Sequence, residues 1–168
     1  MKVVQFVTLM LFSLVTGVFW GTWFSLSRSM VSLTTPTFLE VGHTMIGNLG
    51  GPMSVLMPSA VLSGIIVCTV LFRRGHTRSG GLALVSVLLL LSAMAITLTV
   101  NVPIDRRIQT WTTGTVPSDW MATRDRWEYY HGLRTLISVL AFACLLWSTL
   151  ETTDVAASDP AARPGGAS

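Results

Sequence analysis

Charge is what this chain has least of. Of its 168 residues, 11% are Asp, Glu, Lys or Arg and 51% are hydrophobic, for a mean hydropathy of +0.62. Ordinary soluble domains carry about 25% charged residues, so the composition excludes that class. Cysteine is also scarce. Cys68 and Cys144 each stand alone in an apolar run, far from any CxxC spacing, and read as small packing residues. There is no Walker loop, Rossmann glycine pattern, CxxCH haem attachment motif or serine elbow. Acids are missing from the first two apolar runs, which argues against an ion-coupled transporter. The net charge of +3 comes from scattered loop arginines rather than a basic patch, so nucleic acid is not expected as a partner.

What is abundant is apolar sequence, in four runs: Val4 to Leu26, Met53 to Phe72, Gly81 to Val100 and Thr135 to Leu150. A helix crosses a hydrocarbon core about 30 Å thick in roughly 20 residues, so each run suffices or nearly does. The expected fold is all-α: a polytopic membrane four-helix bundle with a short interfacial helix between spans 1 and 2. One transmembrane domain occupies residues 1–150, with spans at about 4–27, 52–72, 80–101 and 127–150, followed by a disordered C-terminal tail over 151–168. The first run is longer than a signal-peptide h-region and is read as a retained helix. Its Gly17-Val-Phe-Trp-Gly21 is a small-xxx-small pattern that favours close helix approach. The interfacial helix is expected over Phe38 to Asn48, ended by Gly50-Gly51-Pro52, and Pro58 is expected to kink the second span or sit at its start.

Arg73-Arg-Gly-His-Thr-Arg78 is the most cationic short loop and is assigned to the cytoplasm. The expectation is a multi-pass cell-membrane protein with both termini cytoplasmic. The two polar connections, residues 28–51 and 101–134, then share the outer side. The lipid bilayer is the expected environment, and homo-oligomerisation is left open.

The richest stretch is Arg124-Asp-Arg-Trp-Glu-Tyr-Tyr-His-Gly-Leu-Arg134, which leads into the last apolar run. Trp127, His131 and Arg134 fall at i, i+4 and i+7, one stripe on one helix face. Thr135 to Leu150 is too short to span alone, so the helix draws Arg134 and His131 to the headgroups or below them. A charge at the centre of a membrane helix costs about 2.5–3.5 kcal/mol, and such groups usually face protein or trapped water and serve a function. Two Glu-x-x-His units, Glu40…His43 and Glu128…His131, lie on one side of the bundle. With Asp105 they offer a candidate set for a divalent metal, iron or copper. No organic cofactor is evident.

Asn101-Val-Pro-Ile-Asp105, followed by Arg126-Trp127 with His131 and Arg134 in an R-W-x-x-x-H-x-x-R-T pattern, resembles the DUF1772 or anthrone-oxygenase-like membrane proteins over roughly residues 5–150. That family often reads N-x-P-x-N, and Asp105 stands where its second Asn would be, which favours an acid/base or metal-ligand role at this position. The resemblance implies a membrane oxidoreductase that oxygenates a small apolar aromatic metabolite of anthrone or polyketide type, with dioxygen as co-substrate. The chemistry asks for a base, an oxyanion site and a flat apolar wall. His131 is the expected base, and Arg134 and Asn101 the expected oxyanion donors. Trp127 and Tyr130, with Asn48 from the first connection, are the expected substrate contacts. Two alternatives are a metal-dependent membrane oxidase on another small metabolite and a non-catalytic module with a structural polar network. The metal alternative requires near-stoichiometric iron or copper in protein purified in mild detergent, lost in both His43→Ala and His131→Ala; metal-free wild type would remove it.

Overall fold

A computed structural model describes the backbone of residues 1–158 and the side chains of residues 1–152. Its four long helices are α1 (Lys2–Met30), α2 (Thr35–Arg73), α3 (Thr77–Ile108) and α4 (Trp120–Ser158), and the described residues contain no strand. All four are long and apolar enough to cross a membrane, as a multi-pass membrane protein requires. Each helix packs on the next, and α4 closes the ring against α1. Short links join them: residues 31–34, 74–76 and 109–119. Such connections make consecutive helices antiparallel neighbours.

The link between α2 and α3 shows how local chemistry sets the topology. Gly75 has φ +79°, in the left-handed region where a Cβ is penalised. The His76 N–H donates to the Leu71 carbonyl at 3.1 Å and the Gly75 N–H to the Phe72 carbonyl at 3.0 Å. These two bonds form a Schellman stop, which satisfies orphan carbonyls at the end of α2 and turns the chain straight into α3.

Burial runs opposite to that of a soluble bundle. The outer face carries exposed Val3, Leu14, Ile66, Leu88 and Leu140, while Thr8, Ser86, Thr135, Ser138 and Ser148 are fully buried. In lipid an exposed leucine loses nothing, whereas a hydroxyl needs a partner inside. Thr8 and Ser138 donate to carbonyls of their own helices, and other hydroxyls find partners across helix pairs. Ser86 Oγ donates to the Ala141 carbonyl at 2.7 Å, Ser148 Oγ to the Ser79 carbonyl at 2.7 Å, and Thr16 Oγ1 to the Ser138 carbonyl at 3.2 Å. Phe12, Val15, Met57, Leu71, Leu90 and Leu145 fill the space between these polar contacts.

Three expectations change. The separate interfacial helix is absent: residues 35–73 form one helix of 39 residues that carries Pro52 and Pro58 inside it. At 1.5 Å per residue it is about 58 Å long, so its first part extends past a hydrocarbon core. Pro52 forfeits one backbone bond, whereas a break would strip several groups of partners where little water can replace them. The Gly17/Gly21 pattern faces open space, since a Cβ at either position would meet nothing within 4 Å. And α4 continues to Ser158, eight residues into the expected tail; residues 159–168 lie outside the described residues.

Beyond the main core, the start of α2 folds over the ends of α1 and α3. Met30, Phe38, Leu39, Ile108 and Trp111 form a second apolar cluster there, with Phe38 and Trp120 ring centroids 4.7 Å apart. His43 Nε2 donates to the Ile108 carbonyl at 2.9 Å, capping the C-terminus of α3 and bringing the two polar connections together.

Close helix approach occurs at Gly64, where a Cβ would lie 2.9 Å from Val87 Cγ2 and 3.3 Å from the Phe12 ring. Gly64→Val is expected to destabilise by about 1–3 kcal/mol through overpacking. Gly17→Val is expected to be neutral. Thermal unfolding midpoints in detergent check both, and equal midpoints for the two variants would contradict the packing described.

Candidate functional site

The site is built where α3 and α4 meet beneath that cap, and it begins with an irregular backbone. Residues Thr97–Asn101 of α3 form a π-turn, in which the Val102 N–H donates to the Thr97 carbonyl five residues back. A second π-turn, Thr22–Ser27, lies near the end of α1. Pro103 follows the α3 turn and has no N–H to donate, so a widened turn accommodates it with less loss of bonding. The extra residue places Thr97, Asn101 and Asp105 where they all engage α4 or its side chains.

On α4 the stripe Trp127, His131 and Arg134 is buried, with relative exposures of 7%, 1% and 7%. Trp127 Nε1 donates to Asp105 Oδ1 at 2.7 Å, and Asn101 Nδ2 donates to the Trp127 carbonyl at 3.1 Å. Arg134 is held on three sides. Its Nε donates to His131 Nδ1 at 3.0 Å, its NH1 donates to Thr97 Oγ1 at 2.9 Å, and its guanidinium carbon sits 4.4 Å from the centroid of the Phe19 ring. The ring face supplies cation–π attraction that strengthens as water is excluded. Below His131, Thr135 Oγ1 donates to the His131 carbonyl at 2.7 Å and spans towards the Phe19 carbonyl at 3.4 Å.

Two features of this network are chemically open. Neither Asp105 nor Glu128 forms an ion pair with Arg134; the ion pairs among the described residues are Arg78–Glu151 and Arg124–Asp125. And two buried polar atoms of the network lack any hydrogen bond, His131 Nε2 and Asn101 Oδ1. Because Arg134 has no lone pair to offer, the bond at His131 Nδ1 makes that nitrogen the acceptor. The neutral ring therefore carries its proton on Nε2, as an unpartnered donor.

A cavity of about 550 Å³ opens against this network. His131, Arg134, Trp127, Asp105 and Thr97 form its polar side, and Phe19, Met45, Met53, Met57 and Met94 contribute an apolar side. Pro58 and Gly50 of α2 line it too, so the proline-interrupted stretch forms one wall. Its volume lies within the range of small-molecule sites, about 300–1,000 Å³.

The expected site residues divide accordingly. Trp127, His131, Arg134 and Asp105 come together at the cavity. Asn101 is fully buried beside them and outside the lining, where its amide fixes the start of α4 to α3. Tyr130 packs edge-on against Tyr129 with centroids 5.3 Å apart, away from the cavity, and Asn48 is exposed although Gly47 and Leu49 beside it line the cavity. The proposed metal set does not assemble. Glu40 is exposed, His43 is committed to the Ile108 carbonyl, and no three His, Cys, Asp or Glu side chains converge among the described residues. Thr97, Phe19, Met53, Met57 and Met94 lie inside apolar runs and Met45 in the first connection, where sequence spacing carries no sign of a shared cavity.

A family model described as anthrone oxygenase matches residues 51–144, which is more than half of the chain. The match contains Asn101, Asp105, Trp127, His131 and Arg134, and excludes α1 and the segment bearing Glu40, His43 and Asn48. No curated protein and no solved structure matches the chain.

Replacing Thr97 with Val keeps its shape but removes the acceptor for Arg134 NH1, leaving a buried N–H unsatisfied. The expected cost is about 1–3 kcal/mol, read as a lowered unfolding midpoint in detergent. A Thr97→Val midpoint equal to wild type would show that the guanidinium does not depend on this bond.

Proposed function

The chain belongs to the anthrone oxygenase family, and from that premise we propose that it is a membrane-embedded oxygenase acting on a small, flat, apolar aromatic metabolite of anthrone type. The observation that carries this reading is Arg134: a buried guanidinium with no carboxylate in direct ion-pair contact, bordering a cavity beside the unpartnered Nε2 of His131. A permanent cation and an N–H donor in a water-poor site stabilise an oxygen that becomes negative during reaction far more than they would in bulk water. A structural polar network would pair its cation with a carboxylate and leave no cavity.

Oxidising an anthrone suits this arrangement. The methylene carbon between two aryl rings loses both hydrogens and gains one oxygen atom as a carbonyl; the second atom of dioxygen leaves as water. The substrate itself supplies all four electrons, so no external reductant enters the balance. Removing the first proton sends charge onto the ring carbonyl oxygen, the atom that the Arg134 side of the cavity suits. The methionine wall adapts to flat rings of differing substitution through flexible side chains and sulfur–aromatic contacts. An apolar substrate would reach such a site from the bilayer.

The site belongs to the extracytoplasmic membrane boundary of the cell membrane, with both termini in the cytoplasm, by the arginine-rich loop 73–78. The alternative of a metal-dependent oxidase that uses His43, Glu40, Glu128, His131 and Asp105 loses its ligand set to the geometry above.

Purified protein in detergent or nanodiscs is expected to convert an anthrone to its quinone with one dioxygen consumed per quinone. With ¹⁸O₂, one labelled atom should appear in the product. Arg134→Met is expected to lower turnover on the order of 100-fold or more, with helix content by circular dichroism unchanged. Wild-type rates equal to the protein-free background with a panel of anthrones would sink the reading.

A further inference from the structure

The substrate proton needs an acceptor, and His131 is poorly placed to be one. Its Nδ1 lone pair is taken by Arg134 Nε at 3.0 Å, and in the neutral ring Nε2 already holds a proton. Releasing Nδ1 would mean breaking a buried hydrogen bond to a cation. Asp105 has the opposite character. It is partly buried, it lines the same cavity, and Trp127 Nε1 holds its Oδ1 at 2.7 Å. That single bond fixes the carboxylate plane and leaves Oδ2 without a hydrogen bond among the described residues. Trp127 also stacks towards His131, with ring centroids 4.7 Å apart and planes 30° apart. Acceptor and donor thus both contact one indole, the carboxylate at its Nε1 and the imidazole against its ring.

We infer that Asp105 is the catalytic base of this site and that His131, through Nε2–H, is a hydrogen-bond donor to the substrate oxygen. The inference rests on the oxygenase reading above and divides the labour within it. In the first step a C–H bond of the substrate methylene breaks and its proton forms an O–H bond with Asp105 Oδ2. The electron pair stays with the substrate and delocalises onto its carbonyl oxygen, which His131 Nε2–H and Arg134 stabilise. Dioxygen then takes electrons from this anion. Trp127 is a positioning residue, because it acts on the substrate through the carboxylate it holds. The same position in a chain with Asn could not accept a proton in this way, so the assignment is specific to chains with an acid here.

Hydrogen–deuterium exchange at the anthrone methylene, followed anaerobically in D₂O, isolates proton removal from the oxygen step. Asp105→Asn keeps an acceptor for Trp127 Nε1, and Gln at position 131 can offer an amide N–H where His131 offers Nε2–H. Asp105→Asn is expected to lose exchange on the order of 100-fold or more, while His131→Gln stays within about 10-fold of wild type. Asp105→Glu is expected to recover part of the rate. Exchange retained in Asp105→Asn but abolished in His131→Gln would overturn the assignment and leave the oxygenase reading standing. Wild type that neither exchanges the methylene nor consumes oxygen would overturn that reading and this assignment with it.

Discussion

The need to satisfy one buried guanidinium organises the upper half of this bundle. Arg134 sits on a helix that must be drawn into the apolar layer to span it, and it has no acid within ion-pairing distance. Its stabilisation therefore comes from three weaker sources on three helices: the Phe19 ring of α1, the Thr97 hydroxyl of α3 and the His131 ring of its own helix. Each partner must be where it is. The His131 bond sets the imidazole tautomer, the Thr97 bond ties the widened turn of α3 to α4, and the Phe19 contact brings α1 to the cavity edge. A carboxylate paired directly with it would have satisfied the charge more simply and quenched the field on which the chemistry depends; Asp105, on the same cavity, is held by Trp127 instead.

The lower half answers a different demand with different means. There the helices are held by serine and threonine hydroxyls reaching neighbouring backbones, with phenylalanine, leucine and valine between them. Such contacts are individually modest, about 1 kcal/mol, but they need no charge. This half therefore serves as a rigid frame, and the departures from regular geometry gather at the other end: two π-turns, two prolines within α2 and the cavity itself. Irregular backbone in a membrane protein is tolerated where it faces protein or a cavity, and it is found here in that setting.

Much of this was legible in the sequence. Four apolar runs, each of spanning length or nearly so, fix an all-helical architecture, and the i, i+4, i+7 spacing of Trp127, His131 and Arg134 puts them on one face, where the structure buries them. The Glu-x-x-His units misled because helical spacing gives direction around one axis and nothing about what stands opposite. Glu40 turns outward, and His43 meets the end of α3 instead of His131. Thr97, Met53, Met57 and Met94 were invisible for the converse reason: within an apolar run they look like ordinary packing, and only an adjacent helix gives them a role. The interfacial helix was misplaced because Gly50-Gly51-Pro52 would end a helix in water, where freed backbone groups find new partners, and does not in a bundle that offers none.

The π-turn in α3 bears on how related sequences should be compared. A π-turn holds one residue more than the α-helix it interrupts, and one residue corresponds to about 100° of rotation about the axis. A homologue one residue shorter between Thr97 and Asn101 would run through as regular α-helix with the counterpart of Asp105 on the same side, whereas one of equal length without the π-turn would swing that residue away from the indole and the cavity. For the equal-length homologue, an ungapped alignment would match the letters while exchanging the faces. Whether this turn is widened therefore matters as much as which letters follow it, and it offers a natural boundary for dividing the family into groups that do and do not share this site.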